Sequence, residues 1–171
     1  MKHAFALLFL MQAVALSQET LPVEIRRTLD TKYPGWTLSP VAKQIEHWFE
    51  EARYAYRPNL VTGDFNADGK RDYVVSINTP DKQSAAIAFI AQGGGYEMQL
   101  LSTYPTDPFT FLLLYQKGEK DFDFKKMKPF RHPTDAVGLM FFTKTPFTFL
   151  YRNGKFRKTL APSDEEFDDP I

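Results

Sequence analysis

Cysteine is absent from all 171 residues. That single gap excludes disulfides, thiol nucleophiles, thiolate metal ligands and a lipid-modified N-terminal cysteine together. Charge of one sign is not in excess either. The 21 Lys and Arg residues are matched by 21 Asp and Glu, so there is no chain-wide electrostatic reason to expect nucleic acid or an anionic membrane as a partner. Histidine is scarce, at His3, His47 and His132 only. No Gly-x-Ser-x-Gly elbow occurs, which leaves out the usual serine-hydrolase sequence. Gly93-Gly94-Gly95 is not followed by Lys and Ser/Thr, so it reads as a flexible hairpin turn and not as a phosphate loop. The one long apolar run, Ala4 to Leu16 with Gln12 inside it, falls short of the ~20 residues that span a bilayer.

Met1-Lys2-His3 before that run, and the small residues Ala15 and Ser17 at its end, have the layout of a secretory signal peptide. Residues 1–17 are therefore expected to be removed after Ser17, with the product periplasmic or secreted. Residues 18–162 are a suitable length for one domain with a sizeable core. Residues 163–171 gather Asp164, Glu165, Glu166, Asp168 and Asp169 around Phe167, and are expected to be a disordered, solvated tail.

Aromatic side chains are plentiful: 16 Phe, 8 Tyr and 2 Trp, a composition that favours pleated surfaces. Two helices are expected before the strands. Pro22 and Glu24 suit a first helical turn, and Leu21, Ile25 and Leu29 recur at helical spacing until Pro34-Gly35 stops the pattern. Ser39-Pro40 reads as a second start, with Val41, Ile45, Trp48, Phe49 and Ala52 on one stripe. From Leu60 onward the period changes to that of strands, expected near 60–65, 72–78, 85–91, 96–101, 110–116, 136–142, 147–151 and 155–158. Asn153-Gly154 is a favoured two-residue hairpin turn. Helices segregated from strands predict an α+β fold, with two N-terminal helices packed on a mostly antiparallel, curved sheet or meander.

The segment from Gly63 to Tyr73 sets oxygen-bearing residues at alternating places. Asp64, Asn66 and Asp68 can converge on one cation, Asp72 can close the far side, and a backbone carbonyl at Lys70 with water would complete the 6–8 oxygens that Ca²⁺ takes. Gly69 permits the bend that returns the chain to the ion. Three carboxylates about 5 Å apart repel by roughly 3 kcal/mol per pair at an effective dielectric near 20, which favours a cation among them. The alternative is a metal-free turn, since Asn, Asp and Gly also bond their own backbone. An EF-hand would need a Glu where Val75 stands, so the loop is of another kind.

Between two expected strands, Asp64, Asn66, Asp68, Gly69 and Asp72 match the Asp-x-Asp/Asn-x-Asp-Gly-x-x-Asp pattern, and the loop resembles the calcium loop of integrin-type FG-GAP and VCBS repeats. The resemblance covers about Pro58 to Ile77 and implies Ca²⁺ coordination at those positions. Repeat propellers carry many copies, whereas one occurs here. With Pro34-Gly35-Trp36, Trp48-Phe49 and Pro58-Asn59-Leu60 ahead of it, the chain looks like small exported bacterial proteins that carry a single such loop.

Two histidines are the candidates for catalysis. His47 lies on the second expected helix among Glu46, Glu50 and Glu51, a place that the polar edge of an amphipathic helix explains more simply than a general base does. His132, in Pro129-Phe130-Arg131-His132-Pro133, reads as a loop residue able to meet an anion beside Arg131. The aromatic run Phe141, Phe142, Phe147, Phe149 and Tyr151 is half core and half potential ligand face, because alternate strand residues face opposite sides. The reading that follows is an exported, non-catalytic Ca²⁺-binding module for an extracellular or envelope protein or glycan, with the ion as a structural staple. The alternatives are an envelope hydrolase with structural Ca²⁺ and a site centred on His47 or His132, and a scaffold whose loop is vestigial.

Overall fold

In a computed structural model of the chain, residues 20–123, 127–142 and 146–160 are described. Residues 1–17, expected to be a signal peptide, and the acidic tail 163–171 lie outside the described residues. No helix among the described residues is long and apolar enough to cross a membrane.

The chain opens with helix α1 (Val23–Lys32). Leu21, Ile25 and Leu29 bury one stripe of it against the sheet that follows, and Glu24 and Lys32 complement the dipole at its two ends. The Trp36 indole N–H donates to Asp30 Oδ1 at 2.8 Å, which folds the chain back past Gly35 into the short strand β1 (Thr37–Leu38). Helix α2 (Lys43–Glu51) begins later than Ser39-Pro40 suggests and has no side-chain cap. Ser39 is committed elsewhere: it is buried, and its hydroxyl accepts a 2.7 Å bond from Ser76, whose own hydroxyl lies 2.5 Å from that of Tyr104.

Strands β2 (Leu60–Gly63), β3 (Asp72–Asn78), β4 (Gln83–Gln92) and β5 (Gly95–Pro105) join β1 in a five-stranded sheet, ordered β1-β3-β4-β5 with β2 also on β3. Strands β6 (Phe111–Tyr115), β9 (Ala136–Met140), β10 (Phe147–Arg152) and β11 (Lys155–Leu160) form a four-stranded sheet, ordered β11-β10-β9-β6. Strands β7 (Lys120–Asp123) and β8 (Lys128–Arg131) make a separate hairpin. Every strand pair among the described residues is antiparallel.

The five-stranded sheet is covered on both faces, which is why β3 and β4 read as almost continuous apolar runs. Val75, Ile77, Ile87 and Phe89 lie under α1. On the other face, Val74, Ala86, Ala88 and Ile90 meet Leu112, Val137, Leu139, Phe149 and Phe156 of the second sheet. A bulge places Leu101 between the pairs Ile87–Leu100 and Ala86–Ser102. The extra residue carries Tyr104 onto the inter-sheet face, where it is buried. Helix α2 covers part of the outer face of the second sheet, with Ile45 and Phe49 against Phe111.

This architecture corrects the α+β expectation: the fold is mainly β, with 47% of the described residues in strands and 14% in two helices. The main core explains the correction. It is built between two sheets, and no residue of either helix belongs to it. Each helix instead covers one local patch. The sequence also undercounted strand, because β5 continues past its bulge to Pro105 and the β7–β8 hairpin went unread.

Candidate metal centre

Pairing of Gly63 with Asp72 ends the β2–β3 ladder and closes the intervening residues into a tight loop. Two of them take the left-handed conformation, Ala67 at φ 61° and Gly69 at φ 79°. Side-chain oxygens hold this bend. The Asp64 carboxylate accepts the Asp68 N–H through Oδ1 and the Gly69 N–H through Oδ2, both at 3.0 Å. Asn66 Oδ1 shares the Asp68 N–H at 3.1 Å, and Asp68 Oδ1 accepts the Lys70 N–H at 2.9 Å. That last bond, above all, holds the Asp68 carboxyl below the usual carboxylate range. The Lys70 ammonium lies 3.6 Å from Asp68 Oδ2, with both groups in solvent contact.

Asp72 faces the other way. It is fully buried, and its two oxygens accept the Phe65 N–H at 2.9 Å and the Ala91 N–H at 2.8 Å. It thereby ties the loop to β4. Burial pushes its carboxyl above the usual range, the two backbone bonds oppose that shift, and the nearby Asp68 charge adds to it.

A fourth carboxylate, which no sequence motif marks, supports the loop from behind. Asp135 accepts the Asp64 N–H at 2.9 Å and the Lys117 N–H at 2.8 Å, joining the loop to the start of the β6–β7 connection. Gly63 makes room for it, since a Cβ there would stand 2.8 Å from Asp135 Oδ2 and 3.1 Å from the Phe65 ring. Phe65 itself is fully buried and meets Phe156 edge-on in the inter-sheet core.

Asp64, Asn66 and Asp68 are thus gathered on one turn, with Lys70 at its end and Asp72 behind it. Among the described residues no three His, Asp or Glu side chains form a group able to hold a metal ion by themselves. The donor set of the turn is carboxylate, amide and carboxylate. A carboxylate oxygen that accepts one N–H keeps a further lone pair, so the Asp64 and Asp68 oxygens fit a hard cation without giving up the bonds that shape the loop.

The two histidines separate sharply. His47 is solvent-exposed on α2, 3.3 Å from Glu51 one turn on. His132 is buried. Its Nε2 lies 3.0 Å from Asp121 Oδ2, its ring stacks on Tyr115 with centroids 5.1 Å apart, and Phe130 meets it edge-on at 5.0 Å. Its Nδ1 is buried without a hydrogen-bond partner. This is the carboxylate neighbour a general base needs, but on a side chain with no exposed surface. Arg131, expected beside it as an anion ligand, donates from Nη1 to Gly118 O at 2.5 Å. The alternation Phe130–His132 was the available signal, and the flanking Pro129 and Pro133 obscured it.

In the aromatic run, Phe149 is buried, while Phe141, Phe147 and Tyr151 pack against the same core. Phe142 alone is open, at 75% exposure, beside Phe109. Comparison of the chain with protein-family models, curated proteins and solved structures finds no match.

Proposed function

We propose that the Asp64–Asp72 loop binds one Ca²⁺ and that the protein is an exported, non-catalytic binding module stapled by that ion. The side chains of Asp64, Asn66 and Asp68 and the Lys70 carbonyl are the assigned ligands. Asp72, turned away with its oxygens on the Phe65 and Ala91 N–H groups, anchors the loop to β4 from the buried side. The observation that carries this reading is the Asp64 carboxylate bracketed by the Asp68 and Gly69 N–H groups, which wraps the turn around its own oxygen donors. Export is read from residues 1–17 alone, and it supplies surroundings where a weak site of ~10⁻⁴ to 10⁻³ M is useful.

The partner in this reading is an extracellular or envelope protein or glycan. Support comes from large rings left at the surface beside α2: Trp48 and Tyr54, in edge contact at 5.6 Å, are both more than a third exposed. Such rings are common anchors of recognition surfaces. Calorimetric titration tests the ion site. One Ca²⁺ per chain is expected, with Asp68→Ala weakening it at least about tenfold. A silent titration, or an affinity that ignores Asp68→Ala, would overturn the reading.

A further inference from the structure

The β7–β8 hairpin pairs with no other described strand, and an isolated two-stranded ribbon is marginal in water. What fixes it to the body is concentrated at its base. Two stems meet there, residues 116–119 leaving β6 and residues 132–135 leading into β9. Backbone bonds join them: the Gly118 N–H donates to His132 O at 2.8 Å, and the His132 N–H donates to Glu119 O at 3.0 Å. The His132 ring, stacked on Tyr115 and 3.0 Å from Asp121, holds the same base from within.

One further tie leaves the hairpin altogether. Asp135 stands on the returning stem, and its Oδ1 accepts the Lys117 N–H of the outgoing stem at 2.8 Å. Its Oδ2 accepts the Asp64 N–H at 2.9 Å. A single carboxylate thus clamps both stems to each other and to the first residue of the candidate Ca²⁺ loop. Bridging them takes two acceptor oxygens on one short side chain, which Asp supplies and Asn does not. Asp64 is also the residue whose carboxylate shapes the turn, accepting the Asp68 and Gly69 N–H groups at 3.0 Å. Its side chain serves the ion site while its backbone N–H serves the hairpin.

We propose that Asp135 is a positioning residue through which Ca²⁺ in the loop holds the base of the β7–β8 hairpin closed. The inference rests on the Ca²⁺ reading of the Asp64–Asp72 loop. Opening of the base separates Lys117 from Asp135, and closing it again requires the Asp135 side chain to be ordered. Ligation fixes Asp64, and with it the N–H that holds Asp135 Oδ2. The carboxylate is then already in place when the Lys117 N–H returns, so the ion favours the closed base without touching it. The coupling belongs to the two ends together and is lost when the bridge between them is cut. A merely structural Asp135 would stabilise the hairpin equally with and without the ion.

The test is hydrogen exchange of the β7 and β8 amides in the full chain, in EDTA and in saturating Ca²⁺, with calorimetric titration of the same protein to establish saturation. In the parent, Ca²⁺ should slow these amides about fivefold. Asp135→Asn keeps the size of the side chain but leaves one of the two N–H groups facing an amide donor. Its hairpin should exchange faster than the parent's in EDTA, and saturating Ca²⁺ should leave that rate unchanged within about twofold. Gly63→Ala, whose Cβ would stand 2.8 Å from Asp135 Oδ2, displaces the same carboxylate and serves as the second variant, with the same loss of response expected. A parent that takes up Ca²⁺ with no slowing of β7 and β8 overturns the coupling and leaves the ion site standing. Equal slowing in the parent and in the variants overturns the role of Asp135. A parent that takes up no Ca²⁺ overturns the ion reading and this inference with it, and the titration alone identifies that case.

Discussion

Replacing Gly63 by Ala tests the support behind the loop with one methyl group. In a strand the exchange would ordinarily help, since glycine costs roughly 0.5–1 kcal/mol relative to alanine. Here the new Cβ would stand 2.8 Å from Asp135 Oδ2 and 3.2 Å from Asp135 Cβ. That carboxylate accepts both the Asp64 and the Lys117 N–H groups, so displacing it loosens two bonds worth about 1 kcal/mol each. Overpacking adds about 1–3 kcal/mol, and the net expectation is a loss of about 2–4 kcal/mol. For a domain of this size that lowers the melting temperature by roughly 6–15 °C, readable by circular dichroism. The discriminating arm is the double-mutant cycle. In an Asp135→Ala background the 2.8 Å clash with the carboxylate is gone, and Gly63→Ala should cost no more than about 1 kcal/mol, from the Phe65 ring at 3.1 Å and the retained Cβ of residue 135 at 3.2 Å. Simple additivity of the two substitutions would refute the reasoning.

Two further predictions concern the outer face of the four-stranded sheet. The Tyr56 hydroxyl accepts the Leu114 N–H at 3.0 Å, and burial pushes its pKa from 10.0 up to about 12. Between those values the unfolded chain ionises Tyr56 while the folded one does not, so stability falls as pH rises from 10 to 12. The share of this half-buried group is about 1 kcal/mol after allowance for solvent. Tyr56→Phe should remove that share of the alkaline loss while costing about 1 kcal/mol at neutral pH, and an unchanged alkaline slope would contradict the assignment. His132→Phe keeps a ring on Tyr115 but loses the 3.0 Å contact with Asp121. Amides of β7 and β8 should then exchange roughly 5–30-fold faster, corresponding to about 1–2 kcal/mol of local stability; protection equal to the parent would show that the contact does not pin the hairpin.

What could be read from the sequence followed from local periodicity. Leu21, Ile25 and Leu29 marked the buried stripe of α1, and the apolar runs near 72–78 and 85–91 marked β3 and β4. What could not be read depended on partners distant along the chain. Ser39 resembled a helix cap, but Ser76 had taken its hydroxyl. Asp121-Phe122-Asp123 lacks apolar alternation, because one side of that strand faces a buried histidine and the other faces outward. Asp135 lies 71 residues from the backbone group of Asp64 that it holds, and no spacing rule reaches that far. Within the loop, Asp64, Asn66 and Asp68 share the turn that the motif suggested. The burial of Asp72, by contrast, depends on the Ala91 N–H at the end of β4. The class error had the same origin: helix stripes are conspicuous in a sequence, whereas the facing of two sheets is a tertiary fact.

The melting temperature in EDTA, in millimolar Ca²⁺ and in equal Mg²⁺ tests the staple directly. At about 10 mM, roughly 10 to 100 times the proposed dissociation constant, Ca²⁺ should add about 1.4–2.7 kcal/mol, a rise of roughly 3–10 °C, with little response to Mg²⁺ and at most about half the rise in Asp68→Ala. A melting temperature indifferent to Ca²⁺ would contradict the account and make Asp64–Asp72 a metal-free turn.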